Sequence, residues 1–501
     1  MNATVRSLIE QQAADRPSAI YALDGEGAHP LSYGDLARNC RRVAAQLQAL
    51  GARPGDTVSL VMPNGLQTLQ WLLGALYGGW CVNPVNLLSQ PEQMQYVLDH
   101  SDCRVVIVSP DREAAVRAML QTINRPTAVL VSSPDGFALP LAEVKTPEPA
   151  SDALALLMYT SGTTGRPKGV MLTQANLTAN AHSISQEHAL TPADRVWAVL
   201  PLYHINAFAV TMLAPLAHGG SLAMPPKFSA ARFWEQASAC GCTWINVVPT
   251  MISYLLEGAT PPAEQTRGLR FCRSASAALP PDHLRAFQDE FGVGVIETMG
   301  LTETVAPSFS NPLEPSERKV GAVGRASGCE ARVIDAELQP LPDGQTGEIA
   351  IRGPQVMRGY YKNEEATHAA FTPDGWLRTG DLGHRDSDGF FFVTGRIKEL
   401  IIKGGENIAP REIDEALLRH PAVQDAAAVG IPDRHYGQEI MACIVLRAGF
   451  AADEAGLRTF CREHLGPYKT PKVLMFVEDL PRGPSGKVQR LKLLDLLAHQ
   501  G

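Results

Sequence analysis

Hydroxyl, glycine and lysine residues are concentrated in one short segment, YTSGTTGRPKGV at Tyr159–Val170. Glycine lets backbone N–H groups approach phosphate oxygens closely, hydroxyl groups add hydrogen-bond donors, and a lysine adds positive charge. The segment is not a Walker loop, because GxxxxGK[ST] does not fit at this position. A mobile Gly/Ser loop without a ligand is the alternative, but the order of residue types favours phosphate binding. The candidate ligand-binding residues are Thr160, Ser161, Gly162, Thr163, Thr164, Gly165 and Lys168.

Three further positions carry groups suited to chemistry on a phosphate or a carboxylate. They are His204 in PLYHINAF, Asp381 in RTGDLG and Lys487 in PRGPSGKVQR. Taken alone, each has an ordinary reading as a packed histidine, an Asx-turn former and an exposed lysine. A lysine ammonium on a flexible stem nevertheless suits a transition state in which negative charge spreads over phosphate oxygens.

With these segments the chain resembles the adenylate-forming superfamily of acyl-CoA synthetases, peptide-synthetase adenylation domains and luciferases, along nearly its whole length. The resemblance implies that the Tyr159–Val170 loop surrounds the ATP β- and γ-phosphates. It implies that His204 lies at the acyl-carboxylate pocket and that Lys487 stabilises charge as the carboxylate attacks the α-phosphorus. The implied activity is ATP-dependent acyl-CoA synthesis, with ATP, Mg²⁺ and coenzyme A as cofactors.

Two intervening segments, SASAALP at Ser274–Pro280 and ETMGLTET at Glu297–Thr304, resemble the adenine and magnesium segments of the superfamily. By this resemblance Thr302 contacts the α-phosphate. Glu303, together with Thr160, holds Mg²⁺, which takes only one or two protein oxygens when it is bound to phosphates. Met299 replaces the tyrosine that the family usually stacks on adenine. The implied nucleotide contacts are Ser276, Ala277, Ala278, Glu297, Thr298, Met299 and Gly300.

The C-terminal motifs imply ribose binding and a domain rotation. Asp381 is similar to the family's carboxylate that accepts hydrogen bonds from both ribose hydroxyls. By the same resemblance, Arg396 is a second nucleotide contact, and Lys398 lies at the interdomain hinge. The superfamily rotates its small domain between two half-reactions, so Lys487 serves only the first. The residues that would then line the thiol tunnel are Lys403, Gly404, Gly405 and Glu406.

The identity of the acid rests on weaker signals. Stretches such as Phe233–Thr250 look most similar to the oxalate and short-acid branch, although Asn206 replaces a second histidine common there. Arg273 is either a partner for a second carboxylate or an outward-facing strand residue. The remaining pocket candidates, for which core packing is the alternative, are Asn206, Trp244, Val248, Thr250, Ala275, Val305 and Ser308.

We therefore expect a short or dicarboxylic acid as the substrate, with medium-chain or aryl acids as alternatives. No carrier domain follows within the sequence, which favours free CoA as the thiol acceptor. A non-catalytic adenylate-binding relative is an alternative of another class, and we expect such a protein to lack Lys487, Glu303 or Asp381. All three are present.

The elements that must position these motifs follow an α/β pattern. Helical periodicity at Asp35–Leu50 and Pro91–His100 alternates with apolar runs at Thr57–Met62 and Arg104–Ser109, which predicts parallel strands with right-handed crossovers. Short β-like runs dominate residues 330–393. We predict a large N-terminal catalytic domain of layered α/β subdomains plus a small mixed-β subdomain. The predicted ranges are 1–395 for this domain, 396–400 for the hinge and 401–501 for a small mobile α+β lid.

Composition restricts the partners and the compartment. The 501 residues include 44 Lys+Arg and 52 Asp+Glu, and the net charge of -8 argues against a nucleic-acid partner. No apolar run approaches the roughly 20 residues of a membrane span, and the N-terminal segment lacks the apolar core of a secretory signal. The nine cysteines form no CxxC pair, which favours reduced thiols and a cytoplasmic protein. A homodimer is compatible with the sequence.

Overall fold

The computed structural model describes residues 3–136, 142–160, 166–482 and 488–498. The chain divides into two compact units, which we call the first unit (residues 1–330 and 351–377) and the second unit (residues 331–350 and 378–501). Six predicted site residues lie outside the described ranges: Ser161, Gly162, Thr163, Thr164, Gly165 and Lys487.

Both units contain β-strands, which we number in chain order. They are β1 (Ile20–Asp24), β2 (Leu31–Ser32), β3 (Thr57–Val61), β4 (Cys81–Pro84), β5 (Cys103–Val108), β6 (Ala128–Val131), β7 (Leu154–Thr160), β8 (Lys168–Thr173), β9 (Arg195–Trp197), β10 (Ser221–Met224), β11 (Trp244–Val247), β12 (Phe271–Ser274), β13 (Val295–Met299), β14 (Phe309–Ser310), β15 (Arg325–Ala326), β16 (Glu330–Ile334), β17 (Gly347–Arg352), β18 (Gly359–Tyr360), β19 (Leu377–Arg385), β20 (Phe391–Arg396), β21 (Ile401–Lys403), β22 (Glu406–Ile408), β23 (Val423–Asp433), β24 (Gly437–Leu446) and β25 (Val473–Phe476).

The helices cover the faces of the sheets. They are α1 (Val5–Asp15), α2 (Tyr33–Ala49), α3 (Leu66–Gly78), α4 (Pro91–His100), α5 (Glu113–Leu120), α6 (Gln174–Glu187), α7 (Ala214–His218), α8 (Phe233–Ala239), α9 (Pro249–Leu256), α10 (Ala263–Thr266), α11 (Pro281–Phe291), α12 (Glu364–Ala369), α13 (Pro410–Leu418), α14 (Glu454–Lys469) and α15 (Leu493–Ala498). A π-helix at Asn206–Leu213 precedes α7, and a 3-10 turn at Thr302–Thr304 follows β13.

The first unit contains two sheets with the strand orders β15-β14-β13-β12-β11-β9-β10-β1-β2 and β18-β8-β7-β4-β3-β5-β6. Strands β9 to β13, with β10 and β1, are parallel, and so are β3 to β7. Strand β5 is almost entirely apolar and buried, as expected when helices cover both faces of a parallel sheet. This topology confirms the predicted layered α/β fold.

One continuous hydrophobic core connects the two sheets of the first unit. It includes Val58 on β3, Leu72 on α3 and Ile245 on β11. Helix α3 is buried along its whole length, which explains why its sequence is mostly apolar and contains no charged residue. The core therefore fixes the relative positions of the strand ends that carry the candidate site residues.

The second unit combines a sheet of order β16-β17-β19-β20 with a C-terminal sheet of order β22-β21-β24-β23, in which β25 pairs with β24. Ile413, Ile440 and Leu457 belong to its core. The second unit begins upstream of residue 395, because the small mixed-β sheet groups with the C-terminal segment. The boundary at 395 and the hinge at 396–400 stay predictions. Among the described helices, none is both long and apolar enough to cross a membrane.

Candidate active site

The predicted phosphate loop connects the two strands of a hairpin. Strands β7 and β8 are antiparallel, and Thr160 is the register partner of Lys168. The Thr160 hydroxyl donates a hydrogen bond to the Lys168 carbonyl at 3.5 Å. The apolar sequence of β7 buries most of that strand in the sheet, so the hairpin holds both ends of the loop in place.

Lys168 and Glu303 are connected through Tyr360, a residue that the sequence analysis did not identify. The Lys168 ammonium lies 4.8 Å from the centre of the Tyr360 ring, a cation–π contact. The Tyr360 hydroxyl donates to Glu303 Oε1 at 2.8 Å. Burial raises the pKa of Tyr360, and the nearby Glu303 carboxylate raises it further, so the phenol stays a donor at neutral pH. Strand β18 places Tyr360 there by pairing with β8.

The backbone around Glu303 is held in an unusual conformation. Glu303 and Thr302 lie in the 3-10 turn after β13, and the Met357 N–H donates to the Glu303 carbonyl at 2.7 Å. Val305 follows with φ 58°, which is costly for a β-branched residue and is found most often at functional sites. Among the described residues, no group of three His, Cys, Asp or Glu side chains could hold a metal ion by itself. One carboxylate beside phosphate oxygens is the donor set that Mg²⁺ uses, so Glu303 fits this ion.

The predicted adenine segments lie on neighbouring parallel strands. Ser274 at the end of β12 pairs with Glu297 on β13, and the Thr298 hydroxyl donates to the Ser274 carbonyl at 3.4 Å. Ser276 then turns the chain with φ 75°, and Ala277 and Ala278 are exposed. Met299 and Gly300 at the end of β13 are half-buried. The structure therefore brings the two segments together at the carboxyl ends of the strands, where ligands of parallel sheets bind.

His204 precedes the π-helix at Asn206–Leu213. Its ring lies 4.8 Å from the ring of Tyr203, and its carbonyl accepts from the Phe208 N–H at 3.0 Å. The Asn206 amide donates to the Ser276 hydroxyl at 3.4 Å. π-Helical turns occur frequently at functional sites, and this one connects the His204 segment to the adenine segment.

Arg273 lies in the interior of the protein and not on an outward strand face. Its side chain is 0% exposed, and Nη1 donates to Asn206 Oδ1 and to Asn246 Oδ1, each at 2.7 Å. Nε and Nη2 have no hydrogen-bond partner among the described residues. Burial lowers the pKa of Arg273 to about 9, so the guanidinium is still charged at neutral pH.

The other pocket candidates differ in their surroundings. Val248 and Ala275 follow Asn246 and Arg273 by two residues, so they continue the same face of the sheet. Thr250 is half-buried, Val305 and Ser308 are 0% exposed, and the Ser308 hydroxyl has no partner among the described residues. Trp244 stacks on Phe271 at 5.4 Å at the opposite end of the strands. Trp244 therefore packs in the core.

In the second unit the predicted ribose residues contact each other. Arg396 Nε donates to Asp381 Oδ1 at 2.7 Å, because β19 and β20 pair these two residues. Asp381 is 3% exposed, and Lys398 is exposed. Lys403 is buried, and its ammonium pairs with Glu439 Oε2 at 2.9 Å.

The turn that follows Lys403 has exposed aromatic neighbours. Gly404 and Gly405 have φ 55° and 90°, which side-chain-bearing residues rarely adopt. The Lys403 ammonium lies 5.5 Å from the Tyr436 ring and 4.9 Å from the Tyr468 ring. These rings are 48% and 38% exposed, respectively. Neither tyrosine was identified from the sequence, because they come from separate elements that only the folded unit brings together.

The chain matches two models of protein families. Residues 9–361 match the AMP-binding enzyme family, and residues 412–487 match the AMP-binding enzyme C-terminal domain. The sulfoacetate–CoA ligase of Cupriavidus necator is 57% identical over 498 residues, which cover 98% of this chain and 97% of that protein. The oxalate–CoA ligase of Arabidopsis thaliana is 35% identical over 501 residues, which cover 97% of each chain.

A solved structure agrees with these matches. The crystal structure of ATP-bound MatB from Rhodopseudomonas palustris has a TM-score of 0.92 at 31% identity and covers 99% of both chains. The similarity therefore extends over both compact units.

Proposed function

Because the chain belongs to the AMP-binding enzyme family and is an ATP-dependent, AMP-forming acid–thiol ligase, we propose that its substrate is sulfoacetate. This acid is short and carries a second acidic group. The observation that carries the proposal is the 57% identity to the sulfoacetate–CoA ligase over 98% of the chain. The identity to the oxalate–CoA ligase is 35%, so oxalate is the second candidate.

The ligase reaction has two halves. A substrate carboxylate oxygen attacks the α-phosphorus of ATP, which forms acyl-AMP and releases pyrophosphate. The sulfur of coenzyme A then attacks the acyl carbon, loses its proton, and displaces AMP as the thioester forms. The first half brings an anion to a polyanion, so the protein must position the reactants and offset their charge.

We assign this task to residues of the first unit. The phosphates would be contacted by Lys168, by the hydroxyl and N–H donors of the predicted phosphate loop, and by Thr302. Mg²⁺ would be held by Glu303 and Thr160. Mg²⁺, when bound, offsets negative charge on the phosphates. Tyr360 supports the assignment, because it contacts both Lys168 and Glu303. His204 would lie at the reacting carboxylate.

We assign the roles in the second unit by resemblance to the family. Asp381 would accept hydrogen bonds from the ribose hydroxyls, and Arg396, which already contacts Asp381, would orient that carboxylate. Lys487, which lies outside the described residues, would stabilise the first transition state. The Lys403–Glu406 turn would lie along the path of the thiol. Gly405 supports this role, because no atom lies within 4 Å of the position that a side-chain Cβ would occupy there.

A medium-chain or aryl acid fits less well. A long apolar substrate needs an apolar pocket, whereas the polar Asn206, Asn246 and Arg273 side chains lie next to the candidate site. A non-catalytic relative is not favoured, since Glu303, Asp381 and Lys487 are all present.

ATP–pyrophosphate exchange with a panel of acids tests the proposal. The panel contains sulfoacetate, oxalate, malonate, butyrate, octanoate and benzoate, each assayed with ATP and Mg²⁺. We expect the highest kcat/KM with sulfoacetate. A higher value with any other acid of the panel contradicts the proposed substrate, and exchange with none of a broad set of acids contradicts ligase activity.

We further propose that the protein is cytoplasmic and forms a homodimer. All nine cysteines are free, and eight of them are buried, which favours a reducing compartment. Light scattering of the purified protein measures the oligomeric state, and a mass of one chain contradicts the dimer.

A further inference from the structure

We propose that Arg273 recognises the second acidic group of the substrate through its Nε and Nη2 atoms. This inference rests on the proposed function, and it identifies the residue that makes the ligase selective for acids with two negative charges. Arg273 would thus be a specificity-determining residue distinct from the phosphate-binding residues.

The orientation of the guanidinium is fixed by two asparagines. Asn246 on β11 is the register partner of Arg273 on β12, so both side chains emerge on the same face of the sheet. Asn206 approaches from the π-helix and accepts the other Nη1 hydrogen. The Asn246 amide also donates to Asn206 Oδ1 at 3.3 Å. These contacts occupy both hydrogens of Nη1. Nε and Nη2, on the other side of the guanidinium, have no hydrogen-bond partner among the described residues.

The positive charge of Arg273 has no counterion in the described part of the chain. Its partners are amide oxygens, which orient the guanidinium without neutralising it. Arg270, in contrast, pairs with Asp194 at 2.6 Å. Leaving a buried charge unpaired is strongly unfavourable, so an anion that enters the site gains a strong interaction.

The chemistry of the unpartnered atoms matches a planar or tetrahedral oxyanion. Nε and Nη2 carry parallel N–H groups, which can donate to two oxygens of one carboxylate or sulfonate. Both nitrogens are buried, so a bidentate ion pair here is shielded from water and weakly screened by salt.

The location separates the second acidic group from the reacting carboxylate. Asn206, which holds Arg273, is two residues from His204 and contacts Ser276 of the adenine segment. Val248 and Ala275 continue the sheet face from Asn246 and Arg273 towards the strand ends. A substrate whose carboxylate lies near His204 would therefore present an anionic group at its other end to Arg273.

The test compares two acids that differ in charge and little in shape, sulfoacetate and methylsulfonylacetate. kcat/KM for each is measured by ATP–pyrophosphate exchange in the wild type, Arg273→Gln and the control Arg267→Gln, which replaces an exposed arginine. We expect Arg273→Gln to lose about 100-fold with sulfoacetate, as for other buried charge pairs, and less than threefold with methylsulfonylacetate. The control keeps both values.

A second variant keeps Arg273 and offsets its positive charge with a neighbouring carboxylate. Asn246→Asp places a carboxylate next to Nη1 at nearly constant volume, so it should also lower kcat/KM for sulfoacetate selectively. An equal loss with both acids, in variants that melt like the wild type, would overturn the inference, and so would no loss. If the wild type uses malonate but not sulfoacetate, the proposed substrate is wrong. The role of Arg273 is then decided by malonate against its monomethyl ester.

Discussion

Tyr360 shows how a residue without a predicted role can organise predicted site residues. Its ring lies beside the Lys168 ammonium, and its hydroxyl donates to Glu303. The hydrogen bond restrains the carboxylate that we assign to Mg²⁺. Replacing a partner of this kind typically lowers metal affinity or activity by about 10- to 100-fold.

We predict that Tyr360→Phe raises the Mg²⁺ concentration needed for half-maximal ATP–pyrophosphate exchange by about tenfold. The rate at saturating Mg²⁺ should change much less, because the phenyl ring still contacts Lys168. Tyr361→Phe is the matched control, since its hydroxyl donates to Asp102 at 2.7 Å. An unchanged Mg²⁺ requirement in Tyr360→Phe would argue against Glu303 as the metal carboxylate.

His188 contributes a pH dependence to stability. It lies edge-on to Trp244 and Phe271, and neither ring nitrogen has a partner in the described part of the chain. Burial, with a smaller contribution from the nearby Arg273 charge, lowers the pKa of His188 to about 3. In the unfolded chain a histidine has a pKa of about 6.5. Above pH 6.5, His188 is neutral in both states and does not lower the free energy of unfolding. As the pH falls from 6.5 towards 3, only the unfolded chain binds the proton, so the free energy of unfolding decreases by about 1.4 kcal/mol per pH unit.

We predict that His188→Leu reduces the drop in melting temperature between pH 7.5 and pH 5. Differential scanning fluorimetry at both pH values measures this drop. The exposed His368 provides the control His368→Gln, which should melt like the wild type at each pH. A drop as large as that of the wild type in His188→Leu would show that other groups cause the pH dependence.

At the scale of elements, one buried carboxylate connects the starts of three parallel strands. Asp194 precedes β9, accepts from the Thr243 hydroxyl before β11 at 2.8 Å, and pairs with Arg270 before β12 at 2.6 Å. It is 3% exposed. This network lies on the sheet that carries Arg273, so it stabilises the strands that position the acyl pocket.

We predict that Asp194→Asn lowers the stability of the first unit by about 1–3 kcal/mol, because it leaves Arg270 unpaired. Thermal unfolding followed by tryptophan fluorescence measures the change. Asp282→Asn is the control, since the Asp282–Arg285 pair is exposed and such pairs contribute little. Equal melting temperatures for Asp194→Asn and the control would contradict the role of the network.

The elements were more predictable from the sequence than the contacts between them. The helix at Pro91–His100 agrees with the prediction residue for residue, and the strand predicted at Thr57–Met62 ends at Val61. These elements follow from local periodicity and from turn residues. The contact of Tyr360 depends on the pairing of β18 with β8, which are far apart in sequence. The burial of Arg273 depends on Asn206 and Asn246, so sequence alone left its orientation open.

At the scale of the whole molecule, the chain contains two compact units, and the similarity to ATP-bound MatB covers 99% of the chain and so includes both units. The small mixed-β sheet groups with the C-terminal segment, and Arg411 of α13 donates to the Val393 carbonyl at 2.6 Å. This hydrogen bond spans the predicted hinge at 396–400. A rotation about that hinge would have to break it or carry β20 along.

We predict that Lys487→Ala separates the two half-reactions. Adenylate formation, measured by ATP–pyrophosphate exchange, should fall at least 100-fold, because a charge at the α-phosphate is lost. Thioester formation from supplied acyl-AMP and CoA should fall less than about threefold. Lys492→Ala replaces an exposed lysine of the same unit and should change neither rate. Equal losses in both half-reactions would contradict the domain alternation.

We propose that this ligase activates sulfoacetate, and the products of the complete reaction show whether it does. Wild-type protein is incubated with ATP, Mg²⁺, CoA and equal concentrations of sulfoacetate and methylsulfonylacetate, and the thioesters are separated by mass. We predict that sulfoacetyl-CoA forms in at least tenfold excess, with one AMP released per thioester. An excess of the methylsulfonylacetyl thioester, or AMP release without any thioester, would contradict the claim.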